Sequence, residues 1–442
     1  MIIRNPNREI ALIKKVLGQN QPLTRGSLAG LVKSFVTKNR RSILSIARAH
    51  ATPFYLFDRQ SLDANISRFI AAFARLAPKQ NIFYAMKSNP YVPVLKTVVR
   101  HGLGLDVSSG TELQLAVNAG AKRIVFNGPG KTAAELGLAL KHRSKVTVNL
   151  DSFAELKTLG SLAAARKQKI RAGVRLVSTT SHGAWNKFGV PLEQIETFWR
   201  TASRYQNISL EGIHFHNSWN ANAAPYVETI KTIAAFLKRS PRVRRSLKFI
   251  DIGGGFWPYR VDGYYPWLLP AGEIVRTAHA AQKTAASFTD RYYLSESVPL
   301  ASYAREIKQA VDKHLAPLGD YQYYVEPGRS ISYPAFHIVM RIADVKGADY
   351  GIADAGTNIV GLDTYEYVYH PLINLTHFGT KEITFELFGS LCTPDDVFGH
   401  YCYATKMAAG DVIIIPNQGA YTYNTAQPFI KDVAPVLPLP NR

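Results

Sequence analysis

Asn81-Ile82-Phe83-Tyr84-Ala85-Met86-Lys87-Ser88-Asn89-Pro90 is an apolar run that ends on a lysine and is stopped by Asn-Pro. Its length and aromatic content suit a buried strand, and the proline disfavours continuation. A lysine at that end sets an amine where the strand opens to a surface. Partial desolvation there lowers the amine pKa and makes it a nucleophile toward an aldehyde. A snorkelling lysine is the plain alternative, so the neighbouring chain decides. Similar runs recur at Leu103–Val107, Ile124–Asn127, Lys145–Asn149, Arg171–Leu176, Leu210–His214, Phe249–Ile252 and Tyr323–Val325. Amphipathic stretches such as Ser61–Leu76 and Ser152–Leu162 separate most of them. Alternating strands and helices predict an α/β fold, a (β/α)8 TIM-type barrel over 60–335, with chemistry at the C-terminal strand ends.

The flanks read differently. From 336 to 442 short runs (Ile338–Val345, Tyr350–Asp354, Glu382–Phe388, Asp411–Ile415) are broken by Gly, Pro and Asp, which predicts a C-terminal β-domain. Phe54–Phe57, within 51–59, reads as a strand joining that domain. Residues 1–50 read as a basic helical extension, with Leu28, Leu31, Val32, Phe35 and Val36 at helical spacing, then Ile43, Leu44, Ile46 and Ala47.

Composition sets limits. The chain has 442 residues, 46% hydrophobic and 19% charged, the balance of a globular protein. It has no apolar run of about 18 residues, so no membrane span is expected. The start, Met1-Ile2-Ile3-Arg4, lacks the apolar core of a signal peptide. Two cysteines, Cys392 and Cys402, make no disulfide framework, and a cytoplasmic setting is expected. The formal charge is +21, and the first 50 residues hold ten Lys/Arg against Glu9 alone. A second cluster is Lys238, Arg239, Arg242, Arg244 and Arg245. Neither is interleaved with aromatics as a stacking platform requires, so solvated helix faces and no nucleic acid are expected, an acidic protein partner being the alternative.

Four further segments carry chemistry. Asp251-Ile252-Gly253-Gly254-Gly255-Phe256 runs a strand into glycines, whose backbone can approach a phosphate. Val325-Glu326-Pro327-Gly328-Arg329-Ser330 sets a carboxylate and a guanidinium at another strand end; Arg329 suits a phosphate and Glu326 a ring nitrogen, with a plain ion pair as the bland reading. In His214-Phe215-His216 alternation turns both histidines to one side. No H-E-x-x-H or Cys/His cluster accompanies them, so no metal is expected. Cys392 sits in Gly389-Ser390-Leu391-Cys392-Thr393-Pro394-Asp395-Asp396.

Taken in order, the motifs YAMKSNP, GLDVSSGTEL, NGPGKT, KFG, HFH, DIGGGF, EPGRS, DAGTN, SLC and QGAYT resemble the fold-type III pyridoxal-phosphate decarboxylases, the group of ornithine, arginine and diaminopimelate decarboxylases. The resemblance runs from about Ala51 to the end. It implies that Lys87 holds pyridoxal 5'-phosphate as an imine, that His216 stacks on the ring and that Glu326 contacts the ring nitrogen. It implies phosphate binding by Gly253, Gly254, Gly255, Gly328, Arg329 and Tyr421, and cofactor support by Asp106, Glu112 and Arg175. Cys392 matches the residue delivered across a dimer interface to reprotonate Cα, which implies a homodimer with shared active sites. The expected reaction is amino-acid decarboxylation, giving an amine and CO2.

Three departures bear on substrate. Thr393 stands where diamine-forming relatives have an acid that reads the distal ammonium, although Asp396 stays in register. Leu362-Asp363 replaces the Arg-Pro of diaminopimelate enzymes. Trp219 replaces a phosphate-binding serine that Ser218 would have to supply. Glu366 and Tyr367 are further candidates for reading the substrate's far end. The pattern resembles branches acting on modified or carrier-linked amino acids, since a buried unpaired ammonium is costly. A racemase on the same fold is the first alternative; that family pairs the ring nitrogen with arginine, against Glu326. A catalytically silent regulatory homologue is the second.

Overall fold

The computed structural model describes residues 7–8, 11, 25–177, 179–180, 183–184, 187–218, 220–258, 263–265, 268, 270–283, 292–294, 297–361 and 367–440. Two compact units emerge: Leu62–Trp257 with Val298–Ser332, and Met1–Ser61 with Pro258–Ser297 and Tyr333–Arg442.

The first unit is the barrel. Its parallel strands pair in chain order: β1 (Phe83–Ala85), β2 (Gly104–Val107), β3 (Ile124–Phe126), β4 (Val146–Leu150), β5 (Ile170–Arg175), β6 (Ile208–His214), β7 (Phe249–Asp251) and β8 (Gln322–Tyr324). Ile82 bridges Val325, and the Phe83 N–H donates to Val325 O at 2.8 Å, so the last strand returns to the first. Each apolar run supplies one strand, because strands covered on both faces are apolar throughout. Phe83, Val125, Phe249 and Tyr324 fill the floor. Tyr324 stacks on Phe249 with ring centroids 4.7 Å apart. Above the rings of Phe83 and Tyr324 lies the Arg123 guanidinium, 5.4 and 5.3 Å from their centroids, which donates to Asn81 Oδ1 and the Tyr324 hydroxyl. An apolar floor leaves the polar strand ends for the opposite, C-terminal mouth.

The second unit is built on a sheet in the order Tyr350–Ala353, Glu382–Phe388, Val397–Tyr403, Leu372–Asn374, Val412–Ile415, Phe336–Val345, Phe54–Phe57, Val436–Pro438. Phe54–Phe57 pairs antiparallel with Phe336–Val339. Helix α1 (Arg25–Ala49) buries Val32, Val36, Ile43 and Ala47 against Phe54, Leu56, Val339, Tyr403 and Ile414. A buried Val or Ile contributes roughly 1.5–3 kcal/mol, so the later half of the predicted extension is core of this unit. The barrel reading over 60–335 also needs a correction: 258–297 belong to this second unit. There Gly263–Tyr264 pairs with Tyr293–Leu294 and with Val368–Tyr369, and Glu382 accepts hydrogen bonds from Tyr292 and Tyr369, both at 2.6 Å. No helix among the described residues is long and apolar enough to cross a membrane.

Candidate active site

The C-terminal ends of the barrel strands converge on a buried polar network. Glu326, directly after β8, is 1% exposed. Its Oε1 accepts from Asn127 Nδ2 at 2.6 Å, and Oε2 lies 3.3 Å from His214 Nε2. The same Asn127 amide donates to Asp106 Oδ1 at 2.7 Å, and Asn149 Nδ2 donates to Asn127 Oδ1 at 2.9 Å. Burial pushes Asp106 and Asp251 well above the usual carboxylate range, and the neighbouring Glu326 charge adds to it. Burial pushes Glu326 upward too, but the neighbouring His214, by charge and by hydrogen bonding, holds it well below that range. Of the three acids, Glu326 is the one whose ionised form the surroundings favour. Burial lowers the pKa of Arg175, whose guanidinium covers the Phe188 ring at 4.3 Å and feels Asp151, Glu326, Asp106 and Asp251.

Burial also drives His216 down to about 3, so its ring is neutral and its Nδ1 accepts the Gly254 N–H at 3.1 Å. Ligand atoms of His214, His216 and Glu326 lie within 4.8 Å of one another, yet a metal would take Nδ1 only by breaking that backbone bond.

The glycine run follows β7. A Cβ at Gly253 would stand 2.4 Å from Phe215 O, at Gly254 2.3 Å from Glu326 O, and at Gly255 1.8 Å from Asn217 O. Three chain segments cross there too closely for any side chain. The Gly253 N–H donates to Asp251 Oδ1 at 3.0 Å, and the Gly254 N–H is engaged by His216. The expected phosphate donors are thus reduced at the first two glycines. The Arg329 guanidinium lies over the ring of Trp257, two residues beyond the run, at 4.6 Å. Ser218 is half-buried after His216-Asn217, while Trp219 lies outside the described residues.

Lys87 lies half-buried in the single turn Met86–Ser88 beyond β1. Its charge acts on Asp106, Glu112, His214 and His216, which sets the amine among them. Glu112 accepts the Ser108 N–H at 2.6 Å. Gly328 leaves only 3.1 Å between a built Cβ and Ser88 Cβ, which draws the Arg329 segment against the lysine turn.

The remaining candidates belong to the second unit. Cys392 is exposed in a turn. Asp396, 1% exposed, fastens that turn: Oδ1 accepts the Thr357 N–H at 2.7 Å and Oδ2 the Leu391 N–H at 2.6 Å. A Cβ on Gly389 would fall 2.2 Å from Asp396 Oδ2, so SLC and DAGTN interlock through that glycine. Asp396 therefore braces the turn. Tyr421 is half-buried in a turn with φ +63°. Tyr367 is 40% exposed. Glu366, Leu362 and Asp363 lie outside the described residues.

Pyridoxal phosphate fits the barrel's donor set. A desolvated carboxylate kept ionised needs a cation, and a protonated ring nitrogen is one. The lysine, the flat face of a neutral histidine, and an arginine beside a glycine run meet its aldehyde, ring and phosphate. Residues 63–333 match the family model described as pyridoxal-dependent decarboxylase, pyridoxal binding domain. The chain belongs to that family, within fold type III. Diaminopimelate decarboxylase of Bacteroides thetaiotaomicron is 26% identical over 391 residues, covering 85% of this chain and 92% of its own. The Helicobacter pylori enzyme of the same name is 28% identical over 400 residues, covering 86% and 88%. A crystal structure of a mutant H. pylori diaminopimelate decarboxylase complexed with L-lysine superposes with TM-score 0.74 at 26% identity, over 90% of this chain and 94% of that one. Lysine/ornithine decarboxylase from Vibrio vulnificus, complexed with putrescine, shares the fold at 22% identity and TM-score 0.70, over 91% and 98%. The protein is a pyridoxal-phosphate-dependent amino-acid decarboxylase.

Sequence reasoning missed Asn127, Asn149 and Trp257. Asn127 opens NGPGKT, a motif recognised without a role for its first residue.

Proposed function

We propose that the substrate is an amino acid whose distal end bears no ammonium to be read by the Cys392 turn, an acylated or carrier-linked amino acid among them, and that the enzyme acts as a homodimer with shared active sites. The carrying observation is that neither position expected to read a distal ammonium, 393 or 396, presents an unengaged carboxylate. Thr393 is neutral, and both oxygens of Asp396 are engaged by backbone N–H groups. A distal ammonium desolvated against those two positions would meet no unengaged carboxylate. Both thiols are free, in keeping with a cytoplasmic setting.

In this reading Lys87 would hold the cofactor through its aldehyde, leaving that carbon open to the substrate amine. Bound pyridoxal phosphate supplies the ring that accepts the electron pair left on Cα. Glu326 holds a proton at the ring nitrogen, and His216 covers the ring face. Gly255, Gly328, Arg329, Ser218 and Tyr421 hold the phosphate, while Asp106, Glu112 and Arg175 position Lys87 and Glu326. Cys392 of the partner subunit returns a proton to Cα. A carboxylate at the ring nitrogen favours decarboxylation over racemization.

The test is CO2 release from free lysine, ornithine and diaminopimelate beside their distally acylated counterparts and an aminoacyl-carrier conjugate. Higher kcat/KM for the modified substrates is expected. A clear preference for a free diamino acid would reject the reading.

A further inference from the structure

The barrel unit holds 32 Lys/Arg against 15 Asp/Glu, so +17 of the total +21 lies there. Asp106, Asp251 and Glu326 are among the acids at the mouth. The cations concentrate at the other end. The segments leading into the eight strands (78–82, 101–103, 121–123, 141–145, 166–169, 204–207, 241–248 and 319–321) contain fourteen Lys/Arg and a single acid, Asp320. Among the described residues, only Lys248 of these cations pairs with a carboxylate, Glu211, at 2.9 Å.

Parallel strands put all these segments on one face. The linear sequence scatters them over more than two hundred residues, so a search for contiguous basic clusters does not see them together. Two clefts meet on this face at Tyr321. One of about 510 Å³ is lined by Arg244, Arg245, Leu247 and 317–321, and one of about 310 Å³ by Arg123, Gln80 and Tyr321–Tyr323 among others. Arginines therefore stand at the clefts as well as around the rim.

We propose that the N-terminal face of the barrel binds the phosphodiester backbone of double-stranded nucleic acid, without regard to sequence. An array of this charge meets a duplex that carries one negative charge per about 1.7 Å, and each neutralised phosphate releases condensed counterion. Tyr321 is only 6% exposed, and Tyr205 and Tyr323 on this face are half-buried, which favours backbone contact with a duplex over base-stacked single strands. A membrane surface fits less well, because interfacial binding also uses apolar insertion. The exposed large apolar residues Leu31, Val92, Ile274, Tyr350, Tyr367, Phe429 and Ile430 all lie outside these segments. An acidic carrier docked here would face the sealed floor, away from the mouth. The proposal departs from the expectation, drawn from contiguous clusters alone, of no nucleic acid.

The test uses the holoenzyme and fluorescence anisotropy with labelled two-turn DNA and RNA duplexes, a phosphatidylserine vesicle, and polyglutamate. Duplex binding is expected with a log–log salt slope of roughly −5, as for about six phosphate contacts. Combining Arg143→Glu, Lys145→Glu, Arg244→Glu and Arg245→Glu should weaken it by at least about 100-fold, with decarboxylation unchanged as proof of folding. Reversing Lys33, Lys38, Arg41 and Arg48 on α1 should leave it nearly intact. The two duplexes tell DNA from RNA. No duplex binding at low salt, equal losses in both variants, or tighter binding of vesicle or polyglutamate would overturn the proposal.

Discussion

Asn127→Ala removes one side chain that touches three others in the cofactor network. Its amide donates to Glu326 Oε1 at 2.6 Å and Asp106 Oδ1 at 2.7 Å, and its carbonyl accepts from Asn149 at 2.9 Å. The bond to the ionised Glu326 is worth about 1.5–3 kcal/mol, and each of the two neutral ones about 1 kcal/mol. The expected loss of stability is therefore about 3–5 kcal/mol, less whatever a water entering the polar cavity restores. The part lost by the charged form of Glu326 appears as a pKa rise of about one to two units, since one unit is 1.36 kcal/mol. A double-mutant cycle separates that part. In a Glu326→Gln background the Asn127 bond is to a neutral amide, so the same deletion should cost about 1–2 kcal/mol less. The assay is urea unfolding of the cofactor-free wild type, both single variants and the double variant, with kcat measured on the reconstituted enzymes. Additivity within about 0.5 kcal/mol would refute the claim that Asn127 acts through the Glu326 charge.

Lys87→Ala should abolish the visible band of a lysine–pyridoxal linkage while the barrel still folds; a band that persists would place the attachment elsewhere. Cys392→Ala should keep that band and lose amine formation, whereas unimpaired amine formation would remove Cys392 from proton return. For pH, burial holds His216 neutral in the folded chain, at about 3 against an ordinary 6.5. Between those values the unfolded chain binds a proton that the folded chain refuses, so stability is lost as pH falls through that window. The share of His216 in the cofactor-free protein is about 2 kcal/mol between pH 6.5 and 5. His216→Gln should flatten the denaturation midpoint over this range, and an unchanged slope would assign the loss to other groups.

The barrel was legible because most of its strands are buried on both faces and so appear as largely apolar runs. The second unit was less so. Val397–Tyr403 carries Gly399 and His400 in mid-strand, which breaks any alternation, and 258–297 return to the β-domain through tyrosine packing that no local period announces. At the site, residue types were legible and directions were not. Asn127 meets partners 21 and 199 positions away, so nothing beside it in the chain reveals its use.

Asp396 shows the opposite case. Its register invites a role in binding substrate, yet two N–H groups 39 and 5 positions away take its oxygens. The same carboxylate in a motif can be a reader in one relative and a brace in another, and only the orientation of its oxygens distinguishes them. Here the brace is forced. Gly389 leaves no room for a side chain beside Asp396, so the turn closes onto its carboxylate whatever follows Cys392. Thr393 takes no part in that brace, so the proposed substrate preference can be tested by substitution there without loosening the turn.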